Sequence, residues 1–140
     1  MATTMHVDIV SAEAEIFSGT AEMLTAQADD GEVGIMPRHA AYLARLRPGE
    51  VTVTLQGGER QGFYVSGGML EVQPHVTTVL ADTAVRARDL DEAQAVQAKE
   101  AAEKAMADQK DKVDYAKAQA ELVEAAAKLQ TIQRMRSRGS

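Results

Sequence analysis

The sequence predicts an α+β fold, in which an antiparallel β-sandwich (flattened barrel) over residues 1–88 precedes a two-helix antiparallel hairpin over residues 89–140. Two observations lead to this prediction. Nine of the ten glycines and all three prolines lie before residue 75, whereas residues 69–138 contain no glycine and a single proline, Pro74. The first part also alternates apolar and polar residues between turn formers, while the second part is polar and alanine-rich, which is typical of helices.

The first part contains many short predicted strands and no helix between them. Residues 51–55 alternate cleanly, Gly57 and Gly58 can both adopt a positive φ, and apolar residues resume at 63–65, which is the pattern of a tight hairpin. Such a series of strands predicts a sandwich or a flattened barrel. The further predicted strands cover residues 6–10, 15–18, 23–28, 69–72 and 76–81. The aromatic residues predicted to lie mostly in the core are Phe17, Tyr42, Phe63 and Tyr64.

The second part predicts two helices joined by a short polar connection. Asp89 can cap the first helix, and Glu92, three residues later, can reach back to complete a capping box. We expect that helix to run toward Gln109 and a second helix to be capped by Asp114. Apolar residues three and four apart form a stripe on the second helix, consisting of Tyr115, Ala118, Leu122, Ala125, Leu129 and Ile132. Because the facing surfaces are mostly alanine, they bury little apolar area, and we expect the hairpin to be held weakly.

Composition and charge exclude several classes of protein. The formal net charge of -6 and the pI of about 5.0 argue against non-specific nucleic-acid binding. The chain has no cysteine, which excludes disulfides and thiolate metal sites. The N-terminus lacks the pattern of a signal peptide, and no apolar run approaches roughly 20 residues, so we expect peripheral membrane association at most and no direct membrane insertion.

Basic residues are divided unevenly along the chain. Residues 1–88 contain 6 arginines and no lysine, against 11 acids. From residue 128 onward there is no acid, and the chain ends in a basic tip that consists of Lys128, Arg134, Arg136 and Arg138. Two interpretations stay open. The tip either complements the helix dipole, at about 0.3 to 1 kcal/mol per cation, or contacts an acidic partner.

No catalytic motif is present in the sequence. It lacks a glycine-rich loop ending in Lys-Ser/Thr, a His-Glu-x-x-His zinc motif and a Gly-x-Ser-x-Gly nucleophile elbow. The three histidines, His6, His39 and His75, are isolated and lack metal-ligand spacing. We therefore predict neither catalytic residues nor a metal site.

Five segments, in one order, resemble a known family. They are GEVGIMPRHA at residues 31–40, RPG at 47–49, VSGGMLEV at 65–72, VLADTA at 79–84 and DLDEA at 89–93. Together they resemble the epsilon subunit of bacterial F-type ATP synthases, and the resemblance covers essentially the whole chain. It implies a non-catalytic rotor subunit whose sandwich lies on the central stalk and contacts the gamma subunit and the c-ring. It also implies a peripheral position on the cytoplasmic face of the bacterial inner membrane.

The resemblance assigns roles to individual residues of the first part. It places the loop from Glu32 to His39 against the c-ring and stalk, with Glu32 and His39 as the expected polar contacts and Gly34 and Pro37 within the same surface. The glycine and the proline can equally serve only to shape a turn. Arg38 stands where the family usually has a small residue, often glycine, so this sequence departs from the family there.

The resemblance gives the hairpin a regulatory role. In the family it lies folded against the sandwich or extends toward the alpha and beta subunits, where it opposes ATP hydrolysis more than synthesis. A weak alanine seam suits such a switch, because two packings of similar free energy exchange populations. The predicted inhibitory residues form an apolar face and a charged end, namely Leu122, Leu129, Ile132, Arg134, Arg136 and Arg138.

Some members of the family bind ATP through Ile/Leu-Asp-x-x-Arg-Ala at the start of the first hairpin helix. The matching residues here run from Leu90 to Ala95, with Gln94 in place of the arginine. A neutral amide does not replace a guanidinium, and a hydrogen bond to a charged group is worth about 1.5 to 3 kcal/mol. We therefore expect no cofactor, and at most weak ATP binding by Asp91 and Gln94.

Two other functions are compatible with the sequence. The chain can be a free-standing adaptor that uses the sandwich as a scaffold and the hairpin as a protein ligand. It can also be an enzyme, for example an isomerase that uses His39 and Glu32. Stable copurification with a gamma subunit separates the stalk subunit from the adaptor.

Overall fold

A computed structural model describes residues 3–108 and 112–138 of the chain. Within these residues, nine strands and a 3₁₀ turn, Ala87–Asp89, precede two helices. The strands are β1 Met5–Ser11, β2 Glu15–Ala28, β3 Gly31–Ile35, β4 Tyr42–Leu46, β5 Gly49–Leu55, β6 Arg60–Val65, β7 Gly68–Val72, β8 Val76–Ala81 and β9 Ala84–Arg86. The helices are α1 Glu92–Asp108 and α2 Lys112–Ser137. Neither helix, over its described residues, is long and apolar enough to cross a membrane.

The long strand β2 closes the sheet on itself. Its first half pairs antiparallel with β1, and its second half pairs antiparallel with β3 and β5. From β1 the sheet continues through β8, β7 and β4, and β4 meets β2 again where Leu46 pairs with Ala28. From β5 it extends to β6 and β9. The predicted α+β fold, a β-sandwich followed by a two-helix hairpin, is confirmed.

Alternation along the strands produces the core. β5, with the sequence GEVTVTL, buries both valines and leaves both threonines partly exposed, as the two-residue period of a strand requires. Each fully buried side chain of this size contributes about 1.5 to 3 kcal/mol. The aromatic prediction is confirmed for Phe63, which lies fully buried in the core, while Phe17 and Tyr42 are partly buried against it. Tyr64 is also fully buried, but it lies outside this core cluster, on the opposite face of β6.

Strand boundaries differ from the prediction in the first half of the chain. The segments predicted separately at 15–18 and 23–28 are one strand, β2, because Gly19 continues the extended backbone between them. A register shift between Ala21 and Met23 accommodates the pairing with β5. The sequence does not predict β3, β4 or β9, since these strands are short and glycines or charged residues obscure their alternation. The segment predicted as a loop from Glu32 therefore begins in a strand.

The predicted hairpin over residues 51–65 is present with a longer connection. β6 begins at Arg60, three residues before the predicted start. Gly57 and Gly58 have φ angles of 102° and 94°, a region that side-chain-bearing residues rarely adopt. Two backbone hydrogen bonds close the turn: Gly58 N donates to Leu55 O at 2.9 Å, and Leu55 N donates to Glu59 O at 2.7 Å.

The helix caps differ from the predicted ones. Asp91, not Asp89, caps α1, because its Oδ1 accepts a hydrogen bond from Gln94 N at 3.1 Å. Asp89 instead ends the 3₁₀ turn, which delays the start of the helix. Asp114 lies inside the first turn of α2 and is not its cap. The predicted end of the first helix at Gln109 lies outside the described residues.

Alanines form most of the contact between α1 and α2, as predicted. Ala95 and Ala102 of α1 and Ala118 and Ala125 of α2 are buried. Of the predicted stripe, Ile132 is also buried, while Leu122 and Leu129 are half-buried and Tyr115 is 43% exposed. The last two turns of α2 pack on the outer face of β5 and β6, which brings its basic end onto the sheet.

Candidate functional site

The residues predicted to contact the c-ring and stalk lie at the two ends of β3. Glu32 pairs with Gln27 of β2, whose side-chain amide donates to the Glu32 carboxylate at 3.2 Å. His39 lies in the turn that follows β3, with its Nδ1 2.7 Å from the carbonyl oxygen of Ala40 and its ring centroid 6.1 Å from that of Tyr42. A strand rises roughly 3.3 Å per residue, so Glu32 is about 10 Å from the last residue of β3. The prediction that residues 32–39 form one loop is thus wrong, because most of β3 separates Glu32 from His39, while their contact with the c-ring and stalk stays a prediction.

Gly34 and Pro37 lie between these ends and shape the backbone. A Cβ added at Gly34 would lie 3.0 Å from the terminal methyl carbon of Met23, so a side chain there displaces its neighbour. Pro37 lies in a turn in which His39 N donates to Met36 O at 3.2 Å. Whether either residue touches a partner stays a prediction.

The basic end of α2 is bound to the sheet by a bidentate ion pair. Arg138 Nη1 and Nη2 donate to the two carboxylate oxygens of Glu50 at 3.1 Å and 2.9 Å. The Glu50 side chain is 2% exposed and the Arg138 side chain 17% exposed, so solvent screens this pair little. A Cβ at Gly62 would lie 2.5 Å from Glu50 Oε2 and 2.6 Å from Arg138 Nη2. Only glycine at position 62 therefore leaves room for the pair.

The other arginines of the tip differ in their contacts. Arg136 forms an ion pair with Glu92 of α1, and both side chains are largely exposed. Arg134 is half-buried beside β2 and β5 and makes no ion pair with any residue that the structure describes. Two of the three arginines predicted to be inhibitory are thus bound to this chain's own carboxylates while the hairpin is folded.

Tyr64 lies beneath α2 and is fully buried. Lys128 Nζ is 5.4 Å from the centroid of its ring and 3.4 Å from Glu124, so the ammonium sits over the aromatic face. Burial, and secondarily the charge of Glu124, raises the pKa of Tyr64. The hydroxyl of Tyr64 has no hydrogen-bond partner among the described residues.

Tyr64→Phe is expected to stabilise the protein by about 1 kcal/mol, because a buried polar group without a partner costs about 1 to 3 kcal/mol. The raised pKa gives a second effect. The unfolded chain loses the phenol proton near pH 10, whereas the folded chain retains it, so stability declines as the pH rises above about 10. Urea unfolding at pH 7 and pH 10.5 measures both effects. An unchanged or lower stability at pH 7, or an alkaline decline that persists unaltered in the variant, contradicts this account.

A groove between α1 and α2 contains the residues predicted to bind nucleotide. Its volume is about 690 Å³, and both Asp91 and Gln94 line it. Asp91 is occupied as the cap of α1. The ionisable residues that line the groove are four carboxylates and one ammonium, namely Asp89, Asp91, Glu121, Glu124 and Lys128. This charge disfavours a polyphosphate.

Comparison with known proteins identifies relatives over the whole chain. A family model described as "ATP synthase, Delta/Epsilon chain, beta-sandwich domain" matches residues 4–87, and one described as "ATP synthase, Delta/Epsilon chain, long alpha-helix domain" matches residues 88–133. The chain belongs to the ATP synthase delta/epsilon chain family. It is 64% identical over 138 residues to the ATP synthase epsilon chain of Nitrosococcus oceani, with 99% of each chain covered. It is 62% identical over 137 residues to that of Thioalkalivibrio sulfidiphilus, with 97% of each covered.

Two solved structures share the fold of this delta/epsilon family member. One is a chain of the Euglena gracilis mitochondrial ATP synthase (OSCP/F1/c-ring), with a TM-score of 0.82 and 20% identity, covering 89% of this chain and 78% of that one. The other belongs to the Tetrahymena thermophila mitochondrial ATP synthase central stalk and c-ring, with a TM-score of 0.63 and 14% identity, covering 93% and 97%. At such low identities the likeness concerns the fold alone.

Arg38 has an unusual backbone conformation. Arg38 has a φ of 66°, and it is the one non-glycine residue with a positive φ in the described part of the chain. Its amide donates to Pro74 O at 2.8 Å, which fixes the turn to the loop between β7 and β8. A left-handed conformation costs a side-chain-bearing residue roughly 1 to 2 kcal/mol. A glycine at this position fits this geometry without strain.

Arg38→Gly is therefore expected to raise the free energy of unfolding by about 0.5 kcal/mol, since relief of strain exceeds the added entropy of the unfolded chain. Urea denaturation measures the change. Arg45→Gly is the matched control, because Arg45 lies within β4, where glycine destabilises by about 0.5 to 1 kcal/mol. Destabilisation by both substitutions to a similar extent contradicts the strain at Arg38.

The sequence analysis did not predict the sheet face beneath α2, which Glu50, Gly62 and Tyr64 form; of these, Tyr64 alone was named, as a core residue. In the β5–β6 ladder Glu50 is opposite Tyr64, so the acid and the phenol share one face. The alternation of β5 placed Glu50 on the side away from the core, and an acid there is indistinguishable from an ordinary solvated one. The one available signal was the presence of arginines at the end of the chain without any acid nearby in sequence.

Proposed function

We propose that the chain is a non-catalytic central-stalk (rotor) subunit of a proton-translocating F-type ATP synthase. Its β-sandwich joins the gamma subunit to the c-ring, and its hairpin inhibits ATP hydrolysis by reaching the alpha and beta subunits. The observation that carries the proposal is the identity with a protein named ATP synthase epsilon chain, 64% over 138 residues, across both the sandwich and the hairpin. As part of this complex the chain is peripheral on the cytoplasmic face of the bacterial inner membrane.

The turn between β3 and β4, together with the start of β4, supports a protein-binding role for the sandwich. Met36 is 59% exposed and Leu43 is 66% exposed, with Pro37 and His39 between them in the chain. Large apolar side chains beside polar ones are typical of a contact surface. We propose this turn as a contact with the stalk or c-ring, and Glu32 at the far end of β3 as a separate contact.

We also propose that residues 1–88 form the stalk-binding unit and residues 89–140 the regulatory unit. The last strand ends at Arg86 and the first α-helix begins at Glu92, so the sheet and its core are complete before the hairpin starts. In the experiment that tests the function, the full-length chain and the fragment 1–88 are each mixed with a purified gamma subunit. We expect both to form a stable complex on gel filtration.

His39→Ala is expected to weaken binding of the c-ring complex, and His6→Ala, in β1 and away from this turn, is the matched control. If the full-length chain forms no complex with gamma, the hypothesis of a free-standing adaptor is favoured over that of a stalk subunit. If the full-length chain binds and the fragment does not, the two-unit division is wrong and the function stands.

The folded hairpin supports a regulatory switch with two competing sets of contacts. In the folded state Arg138 is bound to Glu50 and Arg136 to Glu92. When the hairpin extends away from the sandwich, both ion pairs break, and the arginines can bind acidic segments of the alpha and beta subunits. A ligand or partner that reverses the populations from 1:99 to 99:1 must favour one state by about 5.5 kcal/mol. The two ion pairs and the alanine contact between α1 and α2 contribute a free energy that such a partner can overcome.

Nucleotide binding is proposed to be weak, because the groove at Gln94 is lined mainly by carboxylates. Calorimetry with the full-length chain is expected to give little heat with ATP, and Gln94→Arg is expected to tighten binding about tenfold by restoring a charged hydrogen bond. Gln97→Arg, in the same groove one turn further along α1, is the matched control and is expected to have a smaller effect. Tight binding by the native chain, or equal gains from both variants, contradicts this assignment.

A further inference from the structure

A second cleft lies at the seam between the sheet and the end of α2, and it is lined by arginines. Its volume is about 150 Å³. Arg60 comes from the start of β6, Arg86 from the end of β9, Arg88 from the 3₁₀ turn and Arg138 from the residue that follows α2. Four arginines from four separate elements therefore line one small cleft, in a chain whose net charge is -6.

The acids near this cleft do not neutralise it. Arg138 is paired with Glu50, and Arg86 donates to the carbonyl oxygen of Ile16 at 2.8 Å while lying 5.4 Å from the centroid of Phe63. The side chains of Arg60 and Arg88 are exposed and form no hydrogen bond or ion pair with any other residue that the structure describes. Glu59 is the one acid in the cleft lining. The lining thus carries a local excess of positive charge that attracts an anion.

The chemistry of the cleft selects a small oxyanion. Arginine presents planar, paired N–H donors that match phosphate oxygens, and its charge persists at all physiological pH values. The volume is about five times the roughly 30 Å³ that one water molecule occupies, and it is below the roughly 300 Å³ at which sites for whole organic ligands begin. The cleft accommodates a phosphate group but not a nucleoside.

We propose that this cleft is a binding site for a phosphate group, supplied either as free inorganic phosphate or as the end of a nucleotide whose base stays outside. Arg60 and Arg88 are the main ligand-binding residues, because their guanidinium groups are not engaged elsewhere. Arg86 and Arg138, whose guanidinium groups are engaged by Ile16 and Glu50, add positive charge from positions that the fold already fixes. The site is distinct from the groove at Asp91 and Gln94, which is acidic and shares no lining residue with it.

The site is complete only while the hairpin is folded. Arg60, Arg86 and Arg88 belong to the sheet and the turn after it, whereas Arg138 belongs to the end of α2. A ligand that binds the folded state alone stabilises that state by mass action. Phosphate is thus expected to hold the basic tip on the sheet, and the consequence for ATP hydrolysis rests on the proposed function above.

The test titrates the full-length chain with inorganic phosphate, and in parallel with sodium chloride at matched ionic strength, by calorimetry and by amide hydrogen exchange. We expect saturable binding of phosphate that chloride does not reproduce, and slower exchange in residues 125–138 when phosphate is bound. Arg60→Gln and Arg88→Gln are each expected to weaken binding by about tenfold. Arg45→Gln removes the same charge from β4, outside the cleft, and is expected to change binding less than twofold.

ADP and ATP form the second arm of the titration. If they bind more tightly than phosphate and lose affinity in Arg60→Gln and Arg88→Gln, the phosphate group is supplied by a nucleotide. Absence of saturation, equal effects of phosphate and chloride, or equal losses in the cleft variants and in Arg45→Gln overturn the site. Binding without added protection of residues 125–138 overturns its coupling to the hairpin. Binding of gamma by the same variants reports on the proposed function independently.

Discussion

Glu50→Gln is expected to free the end of α2 from the sheet. The substitution leaves the guanidinium of Arg138 in a site where it is 17% exposed and has lost its charged partner. Removal of one member of a buried pair costs about 3 to 5 kcal/mol, and a loss of about 3 kcal/mol raises the population of the released state by roughly a hundredfold. Amide hydrogen exchange across residues 125–138 of the full-length chain measures this release.

Two further variants separate the ion pair from general destabilisation. Glu92→Gln removes the exposed ion pair with Arg136, and it is expected to change the free energy of the opening that permits exchange by no more than about 1 kcal/mol. Gly62→Ala alters no charge but places a Cβ 2.5 Å from Glu50 Oε2, so it is expected to release α2 as Glu50→Gln does. Similar exchange in Glu50→Gln and Glu92→Gln would show that the buried pair does not hold the hairpin.

Removal of residues 129–140 is expected to raise ATP hydrolysis by the assembled enzyme without abolishing synthesis. The deletion removes the buried Ile132 and half-buried Leu129 together with all three arginines of the tip, which are the proposed inhibitory contacts. Hydrolysis and synthesis rates of complexes assembled with the full-length and the shortened chain measure the effect. Equal hydrolysis rates at every salt and nucleotide concentration would reduce the hairpin to a structural appendage.

Neutralising Arg134, Arg136 and Arg138 in the intact chain is expected to raise hydrolysis less than the deletion does. Each exposed charge contact with a partner is worth only about 0 to 1 kcal/mol and weakens with added salt. In addition, the loss of Arg138 breaks the ion pair with Glu50. The variant therefore releases the hairpin from the sheet more readily, but the released hairpin binds its partner less tightly. The increase is expected to be several-fold at low ionic strength and to shrink as salt is added.

Some features of this fold follow from local chemistry and were predictable for that reason. Glycines at a tight turn, alternating valines and threonines in β5 and an alanine-rich second half each depend on a few neighbouring residues. The start of α1 was misplaced by two residues, since Asp89 and Asp91 are both good caps and only the 3₁₀ turn between β9 and α1 decides between them. The separate short strands predicted within β2 show the same limit, because pairing with β1 and β5 overrides the glycine at position 19.

The sequence by itself determined the two-part architecture, the family and the alanine seam of the hairpin, because composition, motif order and periodicity are all properties of the chain alone. Only the tertiary structure decided which element packs on the polar face of β5 and β6. That face carries Glu50, Gly62 and Tyr64, and α2 covers it from more than 60 residues further along the chain. The partner of a buried acid depends on which distant element packs over it, and no local pattern encodes that choice. The ion pair between Arg138 and Glu50, and the arginine-lined cleft beside it, are therefore found only in the folded chain.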